Sequence, residues 1–295
     1  GWGGAIAVVP YEMYKIYGDK ETFRRYLPKI LRYFDYLDSR SSGGLVCREE
    51  EGGWCLGDWC PPEQITICEP FVNTALYVKQ MMMTKEASEA IGENETAAML
   101  EKRIEEKKQA ILNAYYSPQT GSFIGDAQGA NSFAVDIGLG GERAFNNTKK
   151  KYDAADPFDT GIFGTDILTR VLFERGCADT AFHLLTSMGK GSFYNMKKQG
   201  ATTIWENWDG ERSHSHPMFG AVTRYLFSFI LGITQEKNSA GYEKIVIAPQ
   251  IPDGLNRASG HITTVRGEIA VSFVRTEREM DFYVTVPQKA WFTYG

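Results

Sequence analysis

The densest group of side chains that could carry chemistry lies in one short stretch late in the chain. Trp205 and Trp208 flank Glu206, and His214 and His216 follow shortly afterwards. Flat apolar rings beside a carboxylate suit a sugar, because its C–H faces stack on aromatic rings while its hydroxyl groups bind to acceptors. The same pattern also fits a core in which the indoles are buried and the carboxylate is a solvated loop acid. This stretch alone leaves both interpretations open.

Turn-forming residues around the stretch predict where its carboxylate lies. Residues 201–205 are typical of an extended segment that ends in a chain reversal at Glu206. Asp209 and Gly210 predict a turn, and Pro217 then begins a helix at a position where its missing N–H costs nothing. We therefore expect Glu206 at the end of a loop.

A second loop, residues 49–62, is also rich in acids, glycines and tryptophans. Trp54 and Trp59 would be wasted on an exposed loop, so they either pack into the core or line a site. Asp58 directly precedes Trp59, much as Glu206 stands beside its own tryptophans. We expect this loop to contribute to the same pocket, with a purely structural role as the alternative.

Composition excludes several classes of function. A net charge of −5 argues against nucleic acids and anionic membrane surfaces as partners. No apolar run approaches the roughly 20 residues that span a bilayer. The five cysteines lack the paired short spacing of a structural zinc site, so we expect reduced thiols. His214 and His216 have no third histidine nearby, and we predict neither a metal nor a cofactor.

Apolar residues that recur every three or four positions predict a series of helices. The predicted segments are 5–17, 22–37, 66–91, 95–115, 132–139, 143–152, 163–175, 178–187 and 217–232. Beyond 241, short β-branched and aromatic runs between turns predict four or five antiparallel strands. Successive helix hairpins with long polar loops at one end suit an α/α toroid. We place its domain at 1–235 and a small β-sandwich at 236–295.

Several short stretches, taken in order, together point to one family. They are residues 1–3, 14–19, 57–59, 73–77, 160–165, 201–206, 213–220, 247–249 and 264–267. This ordered set resembles glycoside hydrolase family 78, the α-L-rhamnosidases, over nearly the whole chain. The resemblance implies an (α/α)6 toroid followed by a β-sandwich, and hydrolysis of terminal α-L-rhamnosides with inversion.

The resemblance also implies roles for individual residues. Glu206 falls on the general base, which activates a water molecule. An inverting glycosidase needs a second carboxyl group, about 6.5–9.5 Å away, to protonate the leaving oxygen. His216 falls on a histidine that contacts the sugar. The expected substrate-binding residues are Trp2, Asp58, Trp59, Trp205 and His216.

The sequence departs from the family's pattern in two places. The family's general acid is a glutamate in an Asp-Cys-Pro-Gln-Arg-Glu-like segment upstream of the stretch matched by residues 1–3, and these 295 residues contain no such segment. We therefore interpret the chain as a fragment that carries the base and lacks the acid. Were the acid internal, Asp58 would be the first candidate and Glu69 the second. In addition, Gly4 stands where the family usually has an aspartate.

Two alternatives to a rhamnosidase remain open from the sequence. One is another α/α-toroid glycosidase that acts on glucosides or uronides. The other is a non-catalytic carbohydrate-binding protein. Under each hypothesis the partner is a small carbohydrate.

Overall fold

The computed structural model describes residues 2–48, 52–53, 56–287 and 291–294, the last four by their backbone alone. Gly1, Trp54 and Cys55 lie outside the described residues. A helical body comes first, and a small β element follows it. None of the helices described in these ranges is long and apolar enough to cross a membrane.

The helical body is built from consecutive helices that pack in pairs. The first pair is α1 with α2, and the same pairing joins α3 to α4, α5 to α6 and α7 to α8. Their bounds are α1 Ala5–Tyr17, α2 Lys20–Ser39, α3 Glu69–Ile91, α4 Asn94–Tyr115, α5 Ala130–Asp136, α6 Gly141–Asp153, α7 Ile162–Glu174, α8 Ala178–Thr186 and α9 Phe193–Lys198.

The turn between α1 and α2 shows how local sequence sets these bounds. Helix α1 is followed by Gly18, whose φ of 73° is left-handed and favours glycine. Asp19 precedes the first residue of α2, and its carboxylate caps that helix by accepting the Thr22 N–H at 2.9 Å. Residues at helical spacing on α2 are buried against the body: Phe23, Leu27, Ile30 and Phe34.

The predicted helix over 217–232 is one segment in the sequence but three kinds of turn in the structure. A 3₁₀ turn covers Pro217–Val222, a short α-helical turn (α10) covers Thr223–Tyr225, and a π turn covers Leu226–Ile230. The segment ends at Gly232, whose φ of 70° is left-handed. Only glycine fits there, because a Cβ would lie 2.3 Å from the Ala248 backbone. Periodicity predicted the apolar face and missed the change in hydrogen-bond spacing.

Other elements escaped the sequence prediction. Helix α9 is short, and Ser192 caps its start by accepting the Asn195 N–H at 3.0 Å. The sequence analysis also missed two short β-hairpins, in which each strand has two residues. They are β1 Ser41–Ser42 with β2 Leu45–Val46, and β3 Tyr116–Ser117 with β4 Ser122–Phe123.

The β element forms two three-stranded sheets. Their strands are β5 Ile233–Gln235, β6 Lys244–Ile247, β7 Arg257–Thr264, β8 Gly267–Arg275, β9 Met280–Thr285 and β10 Trp291–Tyr294. Strands β7, β8 and β9 pair antiparallel, as expected. In the other sheet β6 pairs antiparallel with β5 and parallel with β10, which the sequence did not predict. Strand β5 precedes the predicted boundary at 235, and that boundary stays a prediction.

A buried ion cluster joins three helices of the body. The Asp136 carboxylate on α5 lies 2.8 Å from Lys79 Nζ on α3 and 2.7 Å from Arg170 Nη1 on α7. The Asp136 side chain is only 3% exposed. Burial alone would raise its pKa, but the neighbouring Arg170 and Lys79 cations hold the pKa of Asp136 below its usual value.

Replacing Asp136 with asparagine should destabilise the fold by about 3–5 kcal/mol, because two cations lose their buried partner. The pKa of Asp136 is lower in the folded chain than in the unfolded chain, so its carboxylate stabilises the fold at pH values above the unfolded-state pKa. That stabilisation is lost as the pH falls through the folded pKa. Urea unfolding of Asp136→Asn at neutral pH measures the effect.

The matched control for this measurement is Asp35→Asn. Its side chain is 69% exposed where it pairs with Arg103, so the loss should stay below about 1 kcal/mol. Equal losses in the two variants would contradict a structural role for the buried cluster.

Candidate active site

The loop that contains Asp58 and Trp59 is seated on the N-terminus of α7. The Asp58 carboxylate accepts the N–H groups of Gly161 at 2.8 Å, Phe163 at 2.9 Å and Gly164 at 3.0 Å. The Trp59 carbonyl accepts the remaining N–H in this run, from the first residue of α7, at 2.8 Å. The loop therefore supplies the partners that the helix start lacks.

From this seat the Trp59 indole reaches Glu206. Its Nε1–H donates to Glu206 Oε1 at 3.2 Å, and the N–H of Ser213 donates to Glu206 Oε2 at 3.4 Å. The loop of Glu206 is closed by its own backbone, since the Glu206 N–H donates to the Ser213 carbonyl at 2.8 Å. Two loops that are distant in sequence thus meet at one carboxylate.

These contacts favour the charged form of Glu206. Its pKa is lowered, first by the hydrogen bond from Trp59, then by the Ser213 N–H and by the nearby charges of His216 and Arg212. The side chain is partly exposed, so water can reach it. An ionised, solvent-accessible carboxylate can accept a proton from a water molecule.

Arg212 is a site residue that the sequence analysis missed. Its guanidinium group lies over the Trp59 ring, 4.9 Å from the centroid, and both residues line a cavity of about 280 Å³. Cation–π pairing across two separate loops leaves no signal in either loop's sequence. Cys60, in the same cavity, is also new to the site, and burial raises the pKa of its thiol to about 12.

Trp205, the residue before Glu206, borders a different cavity from Trp59. Its ring is 5% exposed and stacks on His214, with centroids 4.4 Å apart. It borders a separate cavity of about 360 Å³. Among the described residues, Trp59 lines the first cavity and Trp205 the second, whereas Glu206 lines neither of the two. Its neighbour Trp208 is buried, and its indole N–H donates to the Thr160 carbonyl at 3.3 Å.

Trp2 and His216, the other two expected site residues, line neither of these two cavities. Trp2 is 41% exposed and packs on Phe163, with the ring centroids 5.0 Å apart. The backbone N–H of Phe163 in turn donates to Asp58. The N–H of His216 donates to the Ile204 carbonyl at 2.9 Å. Its Nδ1 is buried and has no hydrogen-bond partner in the described part of the chain. His216 does not cap the turn that follows it, since no side-chain cap bond forms there.

The structure corrects the role expected for Asp58. The residue is 1% exposed, and both carboxylate oxygens are occupied by backbone N–H groups. Burial raises the pKa of Asp58 to about 7, although its three N–H donors favour the charged form. Neither a sugar hydroxyl nor a leaving group can reach it in this geometry, so direct substrate contact and the general-acid role both fail. Glu69, the other internal candidate, begins α3 and packs against Gly57.

The first turn of the chain also explains a departure in sequence. A Cβ at Gly4 would lie 2.0 Å from Gln80 Nε2. The space that a side chain at this position would need is filled by the glutamine amide. An aspartate here would require Gln80 to move.

The four cysteines within the described residues, Cys47, Cys60, Cys68 and Cys177, are free thiols. Across the same residues, no group of three or more His, Cys, Asp or Glu side chains is placed to hold a metal ion.

The chain matches two known domain families. Residues 1–230 match the bacterial alpha-L-rhamnosidase 6 hairpin glycosidase domain, and residues 232–291 match the bacterial alpha-L-rhamnosidase C-terminal domain. The chain belongs to the bacterial alpha-L-rhamnosidase six-hairpin glycosidase family. The predicted family and the mainly helical six-hairpin fold are thereby confirmed.

Individual relatives agree with this assignment. An alpha-L-rhamnosidase from Alteromonas sp. (strain LOR) is 26% identical over 97% of this chain, and so is one from Formosa agariphila. The crystal structure of Streptomyces avermitilis alpha-L-rhamnosidase complexed with L-rhamnose matches 99% of the chain with a TM-score of 0.86, at 23% identity. The chain spans about one third of the length of these relatives: 33%, 32% and 29%.

Replacing Trp59 with phenylalanine should raise the pKa of Glu206 towards its ordinary value. The variant keeps an aromatic ring and removes the N–H that contributes most to the lowered pKa. The measurement is a pH titration of the Glu206 carboxyl carbon by NMR.

Trp2→Phe is the matched control, because it makes the same chemical change on a ring that packs on Phe163. The pKa of Glu206 should be unchanged in this variant. An unchanged pKa in Trp59→Phe as well would show that the indole does not control the carboxylate.

Proposed function

We propose that this chain carries the base-bearing part of an α-L-rhamnosidase active site, with Glu206 as the general base. The observation that carries the proposal is the hydrogen bond between the Trp59 indole and the Glu206 carboxylate, at the loop end of a rhamnosidase-family fold. The substrate is a terminal α-L-rhamnoside, and water attacks with inversion.

The proposed role follows from the environment of the carboxylate. The hydrogen bonds from Trp59 and Ser213 lower the pKa of Glu206 and so favour its ionised form, which is the form that can take a proton from water. Trp59 and Ser213 hold one oxygen each, so the carboxylate has a fixed orientation. A fixed base avoids the cost of ordering the group during the reaction.

Neighbouring groups suit the recognition of a sugar. His216 lies close enough to Glu206 to help lower the pKa of that carboxyl, so its ring is placed to contact a sugar bound there. Trp59 and the exposed ring of Trp2 offer apolar faces to the C–H groups of the sugar. Arg212 lies over the Trp59 ring, so a sugar that stacks on that face has to displace the guanidinium group.

The general acid is supplied from outside these 295 residues. Asp58, the leading internal candidate, has both oxygens occupied by backbone N–H groups. The relatives are about three times longer than this chain, so they contain ample sequence for the missing group. The chain therefore carries half of the two-carboxylate site that inversion requires.

A substrate that needs no acid separates the two halves of the mechanism. Fluoride leaves α-L-rhamnosyl fluoride without a proton, whereas an alkyl α-L-rhamnoside requires protonation of its leaving oxygen. The 295-residue chain should hydrolyse the fluoride, leave the alkyl rhamnoside almost untouched, and release β-L-rhamnose first, as seen by proton NMR.

In Glu206→Gln, hydrolysis of the fluoride should fall by a factor of about 10² or more, because the general base is removed. Binding of L-rhamnose, measured by calorimetry, should persist. Glu243→Gln, an exposed acid outside both loops of the site, is the control and should keep its rate.

Three outcomes would contradict the proposal. A near-normal rate in Glu206→Gln would remove that residue from the role. Preference for an α-glucosyl fluoride would favour a different toroid glycosidase. Binding of L-rhamnose with no hydrolysis of the fluoride would favour a non-catalytic carbohydrate-binding protein.

A further inference from the structure

The Asp58–Trp59 loop and the start of α7 form one structural unit. An α-helix leaves its first four N–H groups without partners inside the helix. Here the N–H groups of residues 161–164 all donate to Asp58 or Trp59, at 2.8–3.0 Å. The mechanism uses Trp59 and Glu206, but it gives no task to the buried carboxylate next to them.

The contact between the Asp58–Trp59 loop and residues 161–164 of α7 leaves no room for an additional side-chain atom. A Cβ at Gly161 would lie 2.3 Å from the Trp59 carbonyl oxygen, and one at Gly164 would lie 2.5 Å from Asp58 Oδ2. Both contacts are closer than real Cβ atoms allow. The loop therefore has one position on the helix, fixed by hydrogen bonds and by contact.

We propose that Asp58 is a positioning residue, which fixes Trp59 on α7 and thereby orients the Glu206 carboxylate for base catalysis. The catalytic part of this inference rests on the proposed function, in which Glu206 is the general base. The geometric part needs only the observed contacts. Helix α7 binds Asp58, Trp59 follows Asp58 in the chain, and the Trp59 indole binds Glu206.

Burial raises the pKa of Asp58 to about 7, but the three N–H donors around it favour the ionised carboxylate. Its three N–H donors converge on two oxygens, and charge-assisted hydrogen bonds of this kind are the stronger ones. The N-terminus of α7 also carries the positive end of the helix dipole. In Asp58→Asn one oxygen becomes an NH₂ group, which faces N–H donors instead of accepting from them. Part of the seat must then open.

Helix α7, to which the Asp58–Trp59 loop binds, is fixed in the helical body by its own contacts. Helix α7 packs on α5, and its Arg170 is bound to the buried Asp136. Trp59 follows Asp58 directly, and an indole has only two side-chain torsions. A shift of the loop on α7 is therefore transmitted to the indole N–H, which is 3.2 Å from Glu206 Oε1.

The experiment compares Asp58→Asn with Asp19→Asn in the 295-residue chain. Both aspartates cap a helix start, but Asp19 caps α2, where its carboxylate accepts from Thr22. Both variants should melt at a lower temperature. In Asp58→Asn alone, the pKa of Glu206 should rise towards its ordinary value, and kcat for α-L-rhamnosyl fluoride should fall about 10- to 100-fold with KM little changed.

A second variant covers the case in which Asp58→Asn fails to fold. Gly164→Ala favours the helix itself, because alanine has the higher helix propensity. Its Cβ meets the Asp58 carboxylate, however. Gly164→Ala should raise the pKa of Glu206 and lower kcat, while the chain stays folded by circular dichroism. A gain in rate, or an unchanged pKa, would overturn the proposal.

The two proposals fail in different ways. If Asp58→Asn and Asp19→Asn lose stability alike while the pKa of Glu206 and kcat stay unchanged, Asp58 is only a helix cap. The proposed function would survive that result. If Glu206→Gln keeps its rate but Asp58→Asn still raises the pKa of Glu206, the positioning geometry is supported and the assignment of the base is wrong.

Discussion

The start of helix α7 is the constraint on which the site depends. Four consecutive N–H groups there need partners, and a loop from a hundred residues earlier in the chain supplies them through Asp58 and the Trp59 carbonyl. Leaving such groups buried and unpaired would cost free energy, so the fold and this loop position stabilise each other. The indole that touches Glu206 projects from the same loop. Helix capping and site geometry are thus one interaction.

Most of the helical body could be predicted from its apolar periodicity. The predicted 5–17 segment is the observed α1, and most other helices differ by one to three residues at their ends. The errors have physical causes. Hydrogen bonds shift from 3₁₀ to π spacing between Pro217 and Ile230, and they leave the apolar period almost unchanged. The parallel pairing of β10 with β6 depends on tertiary contacts that no local pattern encodes.

The site was predicted in part. Residue types and the family resemblance brought Glu206 and Trp59 forward, and the structure places them in contact. The same reasoning treated Asp58 as a ligand for substrate, because a sequence does not show which acid faces solvent and which faces backbone. Trp205 was expected in the same pocket, yet it borders a different cavity. Arg212 was missed, since its partner lies on another loop.

The central claim is that Glu206 and Trp59 form the sugar site, and a crystal structure with L-rhamnose tests it most directly. We expect the sugar within hydrogen-bonding distance of the Glu206 carboxylate and in contact with the His216 ring, with a C–H face on Trp59 and Arg212 displaced from that ring. L-rhamnose bound in the cavity beside Trp205, with Glu206 uncontacted, would contradict the account.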